Sequence, residues 1–468
     1  MKNKLIIIAL LSFCLAGSLF AADEVKRLYT SGGEDARIIG QALNTALLGQ
    51  SSRVWPGTPW AKLQVAIVGR QDSFTYLWNT EGNRLLVKTW KNQLPAELSD
   101  CSYWHISRWK GRDILVVCVN DYNNDIDEIL ELICHEGFHL VGQAGWAKDK
   151  ENGWRGDVYP EKIEPRLLRR ELMNSLYEHI RGNSSASLGE AVYWHNKYCL
   201  EFPAEKKEQE YTDRIEGSAD YVGLLGAALG RLGIAASNEA ILADVRKRLA
   251  RRWKNKYNNF LYQGSLKEGE SYAIGAMAGL ALERIKVPGW QEKVAQGKTP
   301  MDILAENAPP LPTFQDPTII EKVDNYYQNK NRELGSLLGR FFQETGTTEY
   351  SSLLLPLDWA VGGTWNRKSF FAYYDNGTPR RFIVSLAGKF RSPASSDLEI
   401  KGSLAEMIMG RYPLNNDLYG YVVVPFPASS LVISAEGSAS LDTKNISARK
   451  LFYKKREDPR GRTEILIK

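Results

Sequence analysis

Residues 132–141 read Leu-Ile-Cys-His-Glu-Gly-Phe-His-Leu-Val, an HExxH motif with uncharged residues on both sides and helical periodicity. Positions four apart lie on one face of an α-helix, so His135 and His139 can bind the same Zn²⁺. Glu136 can then take a proton from a water that the metal activates and pass it to the leaving amine of a peptide. Because the chain has only five histidines in 468 residues, a chance match of two core histidines is the weaker interpretation. The motif predicts a zinc site on a buried helix.

A catalytic zinc site needs a third protein ligand and an open coordination position. None of the other histidines continues the motif as HExxHxxGxxH, which argues against a three-histidine site. Glu216 and Asp220 share a face of a predicted helix, so Glu216 can ligate zinc while Asp220 accepts the second ring N–H of a histidine ligand. A salt-bridged helix surface is the alternative for Glu216. Glu171, within Arg169-Arg170-Glu171-Leu172, is a second candidate ligand.

HEGFH followed by Glu216-x-x-x-Asp220 resembles the gluzincin metallopeptidases. The element at residues 216–221, Glu-Gly-Ser-Ala-Asp-Tyr, is similar to E-x-x-A-D of prenyl-protein and heat-shock-type metallopeptidases, to E-G-x-A-D-Y of plant basic secretory proteins, and to E-G-x-A-x-Y of aminopeptidase-type gluzincins. The resemblance covers about residues 110–290. It implies a zincin-like core, a Zn²⁺ cofactor and a peptide substrate. The membrane segments of the prenyl-protease group and a GAMEN-like motif are missing, so no precise family is assigned.

Tyr272 is a candidate donor to the oxyanion that develops during peptide hydrolysis. Residues 272–276, Tyr-Ala-Ile-Gly-Ala, resemble the Y-x-K-G-A element that bears the transition-state tyrosine of aminopeptidase-type gluzincins, with Ile274 in place of lysine. The alternative is a core tyrosine with a satisfied hydroxyl, because the chain contains 22 tyrosines.

The N-terminus predicts export. Lys2 and Lys4 precede an apolar run, and Ala21-Ala22 offers a cleavage site, as in a secretory signal peptide. We therefore expect a bacterial-type exported protein in the periplasm, outside the cell or at its surface. No later stretch is long and apolar enough to span a bilayer, so no integral membrane segment is expected after the signal is removed. Once the signal is removed, four cysteines remain, namely Cys101, Cys118, Cys134 and Cys199. Four cysteines allow three different sets of disulfide pairs. Cys134 is expected to be a core thiol rather than a metal ligand.

Periodicity and composition divide the chain into five parts, and together they predict an α+β fold. A zincin-like catalytic core is expected from a mixed α/β lobe and a helical lobe, followed by a β-rich accessory domain. The predicted parts are a signal peptide (1–22), the mixed α/β N-terminal lobe (23–125), the helical lobe with HExxH and ExxxD (126–307), a proline-rich linker (308–317) and the β-rich domain (318–468).

Two further segments leave alternatives open. The strand predicted at Asp113–Val119 is either the sheet edge that binds an extended peptide or a buried central strand. The basic cluster at residues 246–256 either contacts an anionic polymer or forms a solvated helix face, and the second is favoured because no nucleic-acid-reading module accompanies it. The charges nearly balance, with 60 Lys and Arg against 55 Asp and Glu, and we expect no nucleic-acid partner.

The sequence thus predicts a secreted or periplasmic zinc metallopeptidase that acts on a peptide or protein substrate. The alternative is a zinc-containing surface protein without proteolytic activity, which binds a glycan or protein through its β-rich C-terminal domain. A third possibility is a zincin fold with a non-peptide substrate. The sequence does not indicate the oligomeric state.

Overall fold

The computed structural model describes the chain in segments. These are residues 35–69, 74–80, 84–87, 98, 104–118, 125–146, 157–182, 184–258, 266–356, 366–367, 370–375, 378–392, 395–412, 415–434, 439–451, 453–457 and 463–467. The predicted signal peptide and Cys101 lie outside the described residues.

Helices dominate the middle of the chain, as the periodicity predicts. Asp125 caps the N-terminus of the HExxH helix, because its side chain accepts a hydrogen bond from the Asp127 backbone N–H. No helix among the described residues is long and apolar enough to cross a membrane. The helices are α1 (residues 35–43), α2 (Ser51–Val54), α3 (Ile126–Gly137), α4 (Ile163–Gly182), α5 (Ser185–Glu201), α6 (Pro203–Leu232), α7 (Asn238–Arg252), α8 (Leu266–Arg284), α9 (Trp290–Ala295), α10 (Pro300–Asn307) and α11 (Pro317–Gly346).

The N-terminal lobe contains a mixed sheet with the strand order β3-β2-β1-β5-β4. The β1 and β5 strands are parallel, and β4 is antiparallel to β5. Because β5 lies between β1 and β4, the prediction that this strand is a peptide-binding edge is wrong, and the central-strand alternative is confirmed. The strands are β1 (Val65–Val68), β2 (Phe74–Trp78), β3 (Arg84–Val87), β4 (Trp104–Trp109) and β5 (Arg112–Cys118).

The C-terminal part is rich in strands, as predicted. Phe370–Asp375 and Thr378–Ser392 pair as antiparallel strands, and Asp375–Thr378 is the last pair between them. The strands of this sheet are β6 (Asp157–Tyr159), β7 (Tyr350–Pro356), β8 (Asn366–Arg367), β9 (Phe370–Asp375), β10 (Thr378–Ser392), β11 (Ser395–Tyr412), β12 (Asn415–Pro427), β13 (Leu431–Ile433), β14 (Ala439–Asp442), β15 (Ile446–Leu451), β16 (Tyr453–Glu457) and β17 (Thr463–Ile467).

The α/β lobe and the helical lobe share one hydrophobic core. Leu63 and Val117 from the first lobe belong to the same buried cluster as Phe138 and Tyr221 from the helices. Burial of each such side chain contributes roughly 1.5–3 kcal/mol relative to exposure. The β-rich part has a separate core. The C-terminal sheet also includes β6, which lies in the helical segment of the chain and pairs in parallel with β9.

The basic cluster is only partly solvated. Arg248 is buried, and its guanidinium lies 2.9 Å from a carboxylate oxygen of Glu131. Arg252 binds the second Glu131 oxygen at 2.6 Å and also binds Asp220. The prediction of a solvated helix face is therefore wrong for these two arginines, which tie α7 to α3 and α6.

The cysteines differ in state. Cys118 forms a disulfide, and its partner lies outside the described residues. Cys134 is a free thiol in the core, as predicted, and burial raises the pKa of this thiol. Cys199 is a free, half-buried thiol on α5.

Candidate metal centre

Three side chains converge at the HExxH motif, from α3, from the π-helical segment that continues it and from α6. His135 lies on α3, and His139 lies on a π-helical segment (Phe138–Gly142) that continues it. The two Nε2 atoms are 3.1 Å apart. Oε2 of Glu216, on α6, lies 3.2 Å from Nε2 of His139 and 3.4 Å from Nε2 of His135. The structure thus brings together all three residues that the sequence predicts as zinc ligands.

The spacing of these three atoms fits a single tetrahedral zinc ion. Ligand bonds of about 2.0–2.1 Å at tetrahedral angles place neighbouring nitrogen or oxygen ligands about 3.3–3.4 Å apart. The observed separations run from 3.1 to 3.4 Å. Three acceptor atoms at these distances repel one another unless a proton or a metal cation lies between them. His135, His139 and Glu216 are therefore the residues that would hold the ion.

Gln143 fixes the orientation of His139, a role that sequence reasoning missed. The Gln143 amide nitrogen donates to the Ile215 carbonyl at 2.8 Å and to the Ser218 hydroxyl at 3.0 Å. Its oxygen therefore faces Nδ1 of His139, at 2.7 Å. Since that oxygen accepts the Nδ1 proton, neutral His139 keeps the Nε2 lone pair directed at the centre. The spacing of four residues between His139 and Gln143 was the available signal.

We expect Gln143→Leu to raise the zinc dissociation constant about 10- to 100-fold, the usual effect of losing a partner that orients a ligand. Competition with a chromophoric chelator measures this constant. Ser218→Ala is the matched control, because it removes a contact of the Gln143 amide nitrogen and leaves the oxygen on His139. Wild-type affinity in Gln143→Leu would show that Gln143 does not orient the ligand.

Asp220 lies beside His135 but does not hydrogen-bond to it. Its Oδ1 is 3.9 Å from Nδ1 of His135, which is longer than a hydrogen bond. The carboxylate instead accepts from Arg252 and from the Tyr257 hydroxyl, the latter at 3.3 Å. A direct role for Asp220 in orienting His135 stays a prediction, while its observed contacts join α6 to the α7 region.

The electrostatics of the centre favour an ionised Glu216. Burial disfavours its charge, but hydrogen bonds and attraction from His135 and His139 outweigh burial and hold the pKa of Glu216 well below its usual value. Burial likewise opposes charge on His139, but hydrogen bonds to Glu216 and Gln143 and attraction from Glu216 and Glu136 together outweigh burial and raise the pKa of His139. The centre therefore contains an ionised carboxylate, whose charge is opposite to that of a metal cation.

Glycines on α6 allow its close approach to the neighbouring helices. A Cβ at Gly223 would lie 3.0 Å from the Glu131 carbonyl oxygen and 3.5 Å from Cβ of His135. A Cβ at Gly217 would lie 2.5 Å from Cα of Gly275 on α8, closer than real Cβ atoms come. Because glycine has no side chain at these two positions, α6 can lie directly against both α3 and α8, which places Glu216 beside the histidines.

Glu136 and Tyr272 both lie at the centre. One carboxylate oxygen of Glu136 and one ring nitrogen from each histidine lie within 4.8 Å of one another. The Tyr272 ring, on α8, stacks on His135 with centroids 5.4 Å apart and planes 5° from parallel. Glu171 is elsewhere: its Oε1 accepts from the Asp316 backbone N–H at 2.7 Å, and it lines a cavity beside Trp194.

No family model, curated protein or solved structure matches this chain. Its function is therefore inferred from the residues and geometry described above.

Proposed function

We propose that the chain is an exported zinc metallopeptidase of the gluzincin type, with a zincin-like core formed by the α/β lobe and the helical lobe. The observation that carries the proposal is the triangle of His135 Nε2, His139 Nε2 and Glu216 Oε2, with sides of 3.1–3.4 Å. The Gln143 contact supports it, because it leaves the His139 Nε2 lone pair free for a metal.

Zinc, when bound, would lower the pKa of a water molecule and polarise the carbonyl of the substrate. Glu136 is the residue of this chain that moves protons. Its carboxylate lies close to both histidine ligands, so it can accept the proton of the attacking water and pass it to the amine that leaves. Glu136 is half-buried, which leaves it accessible to water.

Tyr272 is the proposed donor to the oxyanion. Its ring is stacked on a zinc ligand and is only partly buried, so the side chain borders the centre rather than the core behind it. A hydroxyl that donates to the developing negative charge stabilises the transition state more than the substrate.

The test is zinc-dependent cleavage of a peptide mixture. The chain from residue 23 onward is incubated with peptides of varied sequence, and products are identified by mass spectrometry. Cleavage that is lost after chelation and restored by added zinc supports the proposal. A protein that is loaded with zinc and folded, but that cleaves no peptide or cleaves equally after chelation, contradicts it.

A further inference from the structure

A second group of potential metal ligands lies between α5 and α10. His195 and Cys199 are four residues apart on α5 and therefore share one face of the helix. Asp302 lies in the first turn of α10, where its backbone N–H donates to Oγ1 of the cap residue Thr299. One ligand atom from each of His195, Cys199 and Asp302 lies within 4.8 Å of the other two.

His195 and Asp302 are close enough to share a metal ion, and Cys199 lies within one side-chain rotation of them. His195 Nε2 is 3.0 Å from Asp302 Oδ1 and 3.5 Å from Cys199 Sγ. A tetrahedral zinc with Zn–N near 2.0 Å and Zn–S near 2.3 Å would separate nitrogen and sulfur by about 3.5 Å. Sγ is also 4.0 Å from Nδ1, so it lies beside the ring rather than along the Nε2 lone pair. Coordination therefore requires the Cys199 side chain to rotate toward Asp302.

The surroundings of the group leave it open to solvent. The group lines a cleft of about 540 Å³, so a fourth coordination position can face water. Lys206 binds the other Asp302 oxygen, Oδ2, at 3.3 Å, which leaves Oδ1 directed at His195. Lys206 also binds Glu210 at 3.0 Å, so this second carboxylate offsets the positive charge of the ammonium in the cleft.

We propose that His195, Cys199 and Asp302 form a second metal site, separate in its residues from the HExxH centre. Thiolate, imidazole and carboxylate together select a borderline-soft divalent cation such as Zn²⁺. A thiolate and a carboxylate carry two negative charges, which balance those of the ion. With three protein ligands and a solvent-facing cleft, the site can bind an external ligand through the metal.

Cobalt(II) tests this proposal, because cobalt bound to a thiolate gives a near-ultraviolet charge-transfer band that histidine and carboxylate ligands do not give. The mature chain is freed of metal and titrated with Co²⁺ alone. We expect a thiolate band that saturates by two equivalents in the wild type, because the HExxH centre also takes up Co²⁺. His139→Ala should retain it, since His139 belongs to the HExxH centre. The result is therefore independent of the proposed peptidase activity.

The variants decide which thiol ligates. Cys199→Ser should abolish the band, whereas Cys134→Ala, which removes the other free thiol among the described residues, should leave it unchanged. Asp302→Asn keeps the size of the side chain and should weaken Co²⁺ binding at least tenfold. A wild type without a thiolate band, or a band that survives Cys199→Ser, would overturn the proposal and leave His195 and Asp302 as a simple ion pair.

Discussion

Glu136→Gln is expected to lower kcat for peptide hydrolysis by a factor of about 10²–10⁴, the usual contribution of a positioned general acid and base. Glutamine has nearly the same size as glutamate but cannot take a proton from the attacking water. It leaves His135, His139 and Glu216 unchanged, so the zinc content should equal that of the wild type. Steady-state rates on a peptide identified in the mixture assay, together with metal analysis of the same samples, measure both quantities.

Glu128→Gln is the matched control for this change. Glu128 lies on the same helix, α3, but is exposed to solvent. Its substitution should leave both rate and zinc content unchanged. Equal rates for Glu136→Gln and the wild type would remove Glu136 from the mechanism even with zinc bound.

Glu216→Ala should have the second large effect, which is loss of zinc. The substitution removes one of three ligands, so affinity should fall by more than the roughly 10- to 100-fold that follows loss of a residue orienting a ligand. In the wild type, zinc at 100 times its dissociation constant adds about 2.7 kcal/mol to the free energy of unfolding. In a Cys199→Ser background, which removes a ligand of the second proposed site, thermal unfolding with and without zinc should therefore show a rise in Tm when Glu216 is present and none for Glu216→Ala.

Glu208→Ala serves as the control on the same helix, because Glu208 is exposed on α6. Its zinc-dependent rise in Tm should match that of the wild type. A normal rise in Glu216→Ala would show that Glu216 is not a ligand, and the third ligand would then have to be sought elsewhere.

The local part of the site could be predicted from the sequence because helix geometry fixes it. Residues four apart lie on one face, so His135 and His139 meet whatever the rest of the chain does. Glu216 was found from its helix face and its family resemblance, and the structure places it against both histidines. Asp220 lies in the same region, but its carboxylate accepts a hydrogen bond from Arg252 rather than from His135.

The rest depends on how helices pack against one another, which periodicity does not specify. Gly223 determines how closely α6 approaches α3, but the sequence does not show which helix packs against Gly223. Arg248 and Arg252 resemble surface residues by composition, but Glu131 on a separate helix binds them in the interior. The pairing of β6 with β9 is likewise a long-range contact. Residue spacing therefore predicts that His135 and His139 share a helix face, whereas long-range tertiary contacts determine which residues surround them.

The central claim is that His135, His139 and Glu216 hold one zinc ion. Anomalous scattering at the zinc absorption edge, from crystals of the chain from residue 23 onward grown with zinc, tests it most directly. The account predicts an anomalous peak about 2.0–2.1 Å from Nε2 of both histidines and from the Glu216 carboxylate. Zinc-containing crystals with no peak between these three residues would contradict it.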